Sequence, residues 1–328
     1  MTQPHDLPQP YHASLLHCLN SLARGCPEGE SSSSPLSNLR EAASALASET
    51  VMGNGTPSTE STPTDALTLI DTAKGLLAAI RGPSGGGLPN TQLGGALEAA
   101  LEGLEAGIGA DMRRAQADRI RGLYVIIDPE VTGGRDPMEI AQAAVRGGAS
   151  MLQLRDKLRD KGEILPLARS LQQLCEENGV LLIMNDHVDL AATVGSGGVH
   201  VGQTDMPVAE VRKLLAPYQV LGRSNRQIDL LIQSQMMGAD HVAFGAIYTS
   251  TTKGGGRGPQ GVEPLRRARA ATRVPLVAIG GINAENVAPV VEAGADAICV
   301  TAAVGSAPEP ETAANRLVEA IRSAGGRV

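Results

Sequence analysis

Cations, amides and carboxylates stand directly after short apolar runs in this chain of 328 residues, in combinations that could bind an anionic substrate and a metal. The run ending QLRDK places Gln153, Arg155 and Lys157 at alternating positions, so an extended backbone puts an amide and two cations on one side. An exposed basic strand end paired with Asp156 accounts for those three residues equally well. Asn185 and Asp186 follow the run LLIM, and Gln203, Thr204 and Asp205 follow VHVG. Asp186 and Asp205, if carried on neighbouring strand ends, are hard oxygen donors of the kind Mg²⁺ prefers, since that ion takes one or two carboxylates and leaves places for waters and substrate phosphates. Each could instead cap the helix that follows it. As a pair facing Arg155 and Lys157 they point to a metal.

A second group suits a phosphate. Thr249, Ser250, Thr251 and Thr252 are four consecutive hydroxyls, followed by Lys253 and by Gly254, Gly255 and Gly256. Hydroxyls and an ammonium bind phosphate oxygens, and the glycines let such a loop close over a ligand. Gly280 and Gly281 follow the run VAI, and Thr301, Ala302 and Ala303 follow AICV; small residues there expose backbone N–H groups. His200 lies inside one apolar run and His241 begins another, which reads as satisfied core or rim histidines. No Ser-His-Asp arrangement, zinc spacing or nucleophilic cysteine can be assembled, and Cys18, Cys26, Cys175 and Cys299 are too scattered for a metal site or a disulfide framework.

Such residues need a scaffold that gathers strand ends. From Leu123 onward eight β-branched runs alternate with amphipathic stretches: 123–127, 150–154, 181–184, 198–201, 219–222, 241–245, 276–279 and 297–300. Helices are expected over 138–146, 164–178, 188–194, 207–215, 228–237, 264–271, 286–293 and 309–324. Eight βα units predict an α/β fold, a (β/α)₈ TIM barrel over 119–328, whose chemistry sits at the C-terminal strand ends. An open doubly wound sheet is the alternative, but no GxGxxG follows the first strand.

Residues 1–118 read as a helical extension of unassigned role, broken by low-complexity stretches such as 31–34, 53–64 and 82–89. Leu15, Leu16, Leu19 and Leu22, then Leu69, Ala73, Leu76, Leu77 and Ile80, then Leu93, Leu97, Leu101, Leu104 and Ile108, recur at helical spacing. The third set is interrupted by Gly94, Gly95, Gly103 and Gly107 and needs a packing partner, either the barrel or a second subunit.

With 42% apolar but only 2% aromatic residues, the core must be aliphatic. A net charge of −7 provides no basic footprint for nucleic acid, so the expected partners are small anionic molecules met by a local cationic pocket. Neither a signal sequence nor a membrane span is apparent, and a soluble cytoplasmic protein, compatible with a homo-oligomer, is expected.

LYVIID, GGASMLQLRDK, IMNDHVDLA, GVHVGQTD, LGRS, GAIYTSTTK, VAIGGI and GADAICVTAAV occur in an order and spacing that resemble the thiamine-phosphate synthase family, from Leu123 to Val304. IGGI alone is shared by many phosphate-binding barrels, whereas QLRDK, ND, GQTD and TSTTK together are specific. The resemblance implies a TIM barrel that joins hydroxymethylpyrimidine diphosphate to a thiazole phosphate and releases pyrophosphate. It implies that Gln153, Arg155, Lys157 and Asn185 contact the pyrimidine diphosphate and that Asp186 and Asp205 hold Mg²⁺. Ser224 and Lys253 would also touch that substrate, with Arg155, Lys157, Lys253 and Ser224 as the catalytic set. Ser250, Thr252, Gly281 and the backbone around Thr301 and Ala302 would hold the thiazole phosphate.

Thr249 stands where the family usually has proline, Ser250 where it has threonine, Ala302 where it commonly has serine, and Arg226 where it often has histidine. A thiazole tautomerase on the same barrel, or a non-catalytic phosphate-binding barrel, are the competing functions. The tautomerase would use a histidine near Ser224 and would not need the whole cationic set.

Overall fold

The computed structural model describes residues 15–20, 39–40, 62–81, 91–249 and 258–328. The chain divides into two compact units, Met1–Met112 and Arg113–Val328.

In the first unit, residues 15–20 are helical, followed by α1 (Pro63–Arg81) and the greater part of α2 (Thr91–Ala117). Proline stands at the first position of α1, where its missing N–H costs nothing, and Thr62 and Asp65 cap that end reciprocally. The Asp65 carboxylate accepts from the Thr62 backbone at 3.0 Å, and the Thr62 hydroxyl accepts from the Asp65 backbone at 3.2 Å. Leu15, Leu16, Leu19 and Leu39 bury themselves with Ile70, Ala73 and Leu77 of α1 and with Leu97, Leu101 and Leu104 of α2. The apolar faces expected to need a partner therefore cover one another within the unit. Leu22 and the side chains of Ile80 and Leu93 lie outside the described residues.

The second unit is a closed barrel of eight parallel strands in sequential order. They are β1 (Gly122–Ile127), β2 (Met151–Leu154), β3 (Leu181–Asn185), β4 (Gly198–Val201), β5 (Val220–Asn225), β6 (His241–Gly245), β7 (Leu276–Ile279) and β8 (Ala297–Val300). The helices between them are α3 (Pro137–Arg146), α4 (Lys161–Glu177), α5 (Val188–Val194), α6 (Val208–Leu214), α7 (Ile228–Met236), α8 (Val262–Ala271) and α9 (Ala288–Glu292), and α10 (Ala302–Gly305) and α11 (Pro310–Ser323) follow β8.

Alternation along the strands sorts the side chains into two layers. Tyr124, Ile126, Met151, Leu181, Ile183, Val220, Ala243, Val277, Ala297 and Cys299 fill the barrel, while Leu123, Val125, Ile127, Leu152 and Leu154 face the helices. Cys18, Cys175 and Cys299 are buried, unbridged thiols; burial pushes the Cys175 thiol up to about 12, which keeps it protonated and unreactive.

Two aspartates tie the N-terminal end of the barrel by the same device. Asp240, just before β6, accepts from the Leu221 backbone at 2.8 Å and pairs with Arg212 of α6 and with Arg113 at 3.4 Å. Asp296, just before β8, accepts from the Leu276 backbone at 2.8 Å and pairs with Arg269 of α8 at 2.6 Å. In both cases one carboxylate joins a strand start to the helix preceding it.

Candidate active site

At the end of β2 the extended backbone stops at Leu154, and the three polar residues expected on one face diverge. Gln153 points into the barrel, buried, and donates to the Tyr124 hydroxyl at 2.5 Å. Burial pushes the Tyr124 phenol well above its usual range, so it stays a neutral acceptor. Arg155 reaches sideways to the buried Asp128 just past β1, with Glu130 at 3.9 Å. Lys157 reaches the other way and pairs with Asp186 past β3 at 2.5 Å. Asp156 does not pair with either cation. It binds Arg159 at 2.6 Å and accepts from the Leu158 and Arg159 backbones, which outweighs its burial and holds the carboxyl below the usual range.

Asp186 occupies the left-handed region, φ 59°, a conformation that Asp tolerates better than most residues. Its backbone N–H donates to the His200 carbonyl at 2.9 Å, which fixes the turn that follows Asn185. The helix-cap alternative fails for both aspartates: the residues at the cap positions of α5 and α6 are His187 and Pro207. Asp205 is exposed, and one of its oxygens accepts from the Gly202 backbone at 2.6 Å. Asn185, the last residue of β3, is half-buried and directly precedes Asp186.

Among the described residues no three His, Cys, Asp or Glu side chains come close enough to form a complete metal cage. Two carboxylates on adjacent strand ends, without such a cage, fit Mg²⁺ rather than a structural zinc, because Mg²⁺ keeps waters and binds substrate phosphates.

Ser224, near the end of β5, faces the barrel mouth. Its hydroxyl lies 2.9 Å from Nε2 of His200, and Gln203 donates to its carbonyl at 2.6 Å and to Asn225 at 3.0 Å. Arg226, where the family often has histidine, is half-buried and donates to the Gly258 carbonyl at 3.0 Å.

Across the mouth, the loops after β6 and β7 meet backbone to backbone. Ile247 and Tyr248 donate to Ile279 and Gly280, each at 2.9 Å. Gly281 sits at φ +67°, and a Cβ there would lie 2.4 Å from the Thr249 carbonyl, so both conformation and space demand glycine. Asn286 braces this corner by donating to the Gly281 carbonyl at 2.9 Å and accepting from the Tyr248 hydroxyl at 3.0 Å. Thr301 and Ala302 open the short α10 after β8, both half-buried. Ser250, Thr252 and Lys253 lie outside the described residues.

Three residues carry no functional role in the sequence reading. Asp128 is the residue immediately past the first apolar run, and that place was its signal. His200 and His241 belong to different strands, and only the barrel register brings their rings together.

Residues 123–304 match the family model described as thiamine monophosphate synthase. The thiamine-phosphate synthase of Thioalkalivibrio sulfidiphilus is 45% identical over 202 residues, covering 61% of this chain and 95% of that protein. That of Moorella thermoacetica is 40% identical over 205 residues, covering 62% of this chain and 98% of the relative. The solved thiamine phosphate pyrophosphorylase of Pyrococcus furiosus superposes with a TM-score of 0.59 at 30% identity, over 64% of this chain and 99% of that one. Motifs, closed barrel and relatives agree, and the chain belongs to the thiamine monophosphate synthase family.

Proposed function

We propose that the barrel unit joins a hydroxymethylpyrimidine diphosphate to a thiazole phosphate by a dissociative route, with the charged groups of β1 to β5 on the diphosphate and the loops after β6 to β8 on the thiazole phosphate. The observation that carries this reading is the arrangement of ion pairs at the strand ends. Arg155 on Asp128 and Lys157 on Asp186 are cations held by carboxylates at the barrel mouth, available to exchange onto a diphosphate.

In the reaction the bond between the pyrimidine methylene carbon and the diphosphate oxygen breaks, and its electron pair leaves with pyrophosphate. The thiazole nitrogen then donates its lone pair to the methylene carbon. No protein nucleophile or general base is needed. The residues have to neutralise the leaving group, align the two substrates and exclude water.

Arg155, Lys157 and the sequence-assigned Lys253 stabilise negative charge on the departing group. Asn185, Gln153 and Ser224 orient the pyrimidine, Gln153 from a buried position against Tyr124. Gly281, Thr301 and Ala302, with Ser250 and Thr252, supply backbone and hydroxyl donors to the thiazole phosphate. Asp186 and Asp205 would hold Mg²⁺, which when bound supplies positive charge to the diphosphate oxygens.

A tautomerase reading would need an imidazole free to move protons. His200 does touch Ser224, but it is buried with its other ring nitrogen facing His241, and the position two residues beyond Ser224 is an arginine.

Purified protein incubated with both substrates and Mg²⁺ should form thiamine phosphate and pyrophosphate in equal amounts, and omission of Mg²⁺ should abolish turnover. Folded protein that yields neither product with Mg²⁺ present overturns the synthase reading.

A further inference from the structure

Three strands bring two imidazoles together behind Ser224. His200 of β4 pairs in register with Gly222 of β5, which pairs with His241 of β6, so the three occupy one layer inside the barrel. Gly222 leaves the room: a Cβ there would lie 2.0 Å from His241 Nε2 and 2.5 Å from His200 Nδ1. The rings stand with centroids 5.5 Å apart, and His200 Nδ1 lies 3.4 Å from His241 Nε2, a stretched hydrogen bond. On its other side His200 Nε2 lies 2.9 Å from the Ser224 hydroxyl. The remaining nitrogen, His241 Nδ1, is buried and has no hydrogen-bond partner among the described residues.

That last atom decides which way the protons point. If His200 carried a proton on Nδ1, His241 Nε2 would have to accept it, and the proton of His241 would sit on Nδ1 as a buried donor with no acceptor. Orphaned buried N–H groups are rarer than under-used acceptors, because a donor stripped of water has no second way to be satisfied. The alternative leaves only a lone pair on Nδ1. His241 Nε2–H then donates to His200 Nδ1, His200 Nε2–H donates to the Ser224 oxygen, and the Ser224 proton is directed elsewhere. Burial, and secondarily the neighbouring His200, hold His241 well below the usual imidazole range, so it stays neutral throughout this arrangement.

We infer that His241 is a positioning residue that fixes the tautomer of His200, so that the Ser224 hydroxyl is obliged to donate into the site, to an acceptor atom on the bound pyrimidine diphosphate. This rests on the reading of Ser224 as a substrate contact. It makes Ser224 a donor of fixed direction, where a lone serine would rotate between donating and accepting.

Nitrogen-15 NMR of the imidazoles in the full chain reads the tautomers without reference to turnover, with His241→Gln used to assign the signals. The proton is expected on Nε2 of both rings; a proton on Nδ1 of His241 overturns the inference, whatever the product assay shows. In kinetics, His241→Phe keeps a ring but no donor and should lower kcat about tenfold, whereas His241→Gln, whose amide can donate to His200, should recover most of that loss. In a Ser224→Ala background His241→Phe should cost nothing further. An undiminished effect in that background, or no difference between the Phe and Gln variants, overturns the positioning role.

Discussion

Lys157 and Asp186 stand 2.5 Å apart at the barrel mouth, with the lysine side chain 42% exposed. An ion pair so open to water contributes only about 0–1 kcal/mol to stability, so its presence needs another explanation than the fold. Removing one preorganised charge from a developing anion typically costs about 10²–10³ in kcat. Lys157→Ala should therefore lower kcat and kcat/KM together by that order while shifting the melting temperature little, as steady-state kinetics and a thermal melt on the same sample would show. A variant that melts far lower but turns over normally would make Lys157 a structural residue. The alternation in QLRDK made an anion site legible from sequence, yet it implied that Gln153, Arg155 and Lys157 share a direction. They do not, because β2 ends at Leu154 and each longer side chain finds the carboxylate of a different neighbouring strand. Asp128 was not assigned for the same reason: its partner is 27 residues away, a pairing set by the register of β1 with β2 and not by local pattern.

At the scale of elements, the repeated period of apolar runs was enough to place all eight strands, since a buried parallel strand must be continuous and apolar. β5 runs three residues beyond its expected end, through Arg223, Ser224 and Asn225, where the inward Ser224 hydroxyl meets His200, Gln203 donates to the Ser224 carbonyl, and the Asn225 side chain accepts from Ser234 of α7. α10, only four residues long, carries no periodic signal at all. The aspartates before β6 and β8 were also silent in the sequence, although each follows a Gly-Ala pair. They lie at the N-terminal end of the barrel, where polar ties serve stability and not chemistry. Asp296→Ala leaves the Leu276 N–H without its acceptor and Arg269 without its carboxylate, in a half-buried site where Arg269 keeps only its backbone acceptors at Thr272 and Val274. The expected loss is about 2–4 kcal/mol in denaturant unfolding, scaled down from the cost of breaking a fully buried pair. The folded fraction should keep an unaltered KM for both substrates. A changed KM at unchanged stability would mean that this end of the barrel communicates with the mouth.

At the scale of the whole molecule, two cores are distinct. Leu15 to Leu104 close one, and the strands and helices from Ile120 onward close the other. The relatives from Thioalkalivibrio and Moorella match over nearly their full length while covering about three-fifths of this chain, so a barrel of this family is complete without a counterpart of residues 1–112. The sequence placed the change of texture at about residue 118, after the last strong helical pattern. The compact unit starts earlier, inside α2, because Arg113 donates to the Pro217 carbonyl and pairs with Asp240. A chain shortened to begin at Asp111 keeps those ties and should retain the kcat of the full protein. One begun at Arg119 loses them, and should unfold about 1–3 kcal/mol more easily, the typical consequence of leaving the Pro217 carbonyl without its donor and Asp240 with Arg212 as its remaining arginine. The full chain should melt in two transitions, one of them absent from the shortened protein, since separate cores need not unfold together. A single transition in the full chain, accompanied by loss of activity in the protein begun at Asp111, would mean that the first unit is part of the working enzyme and not an appended fold.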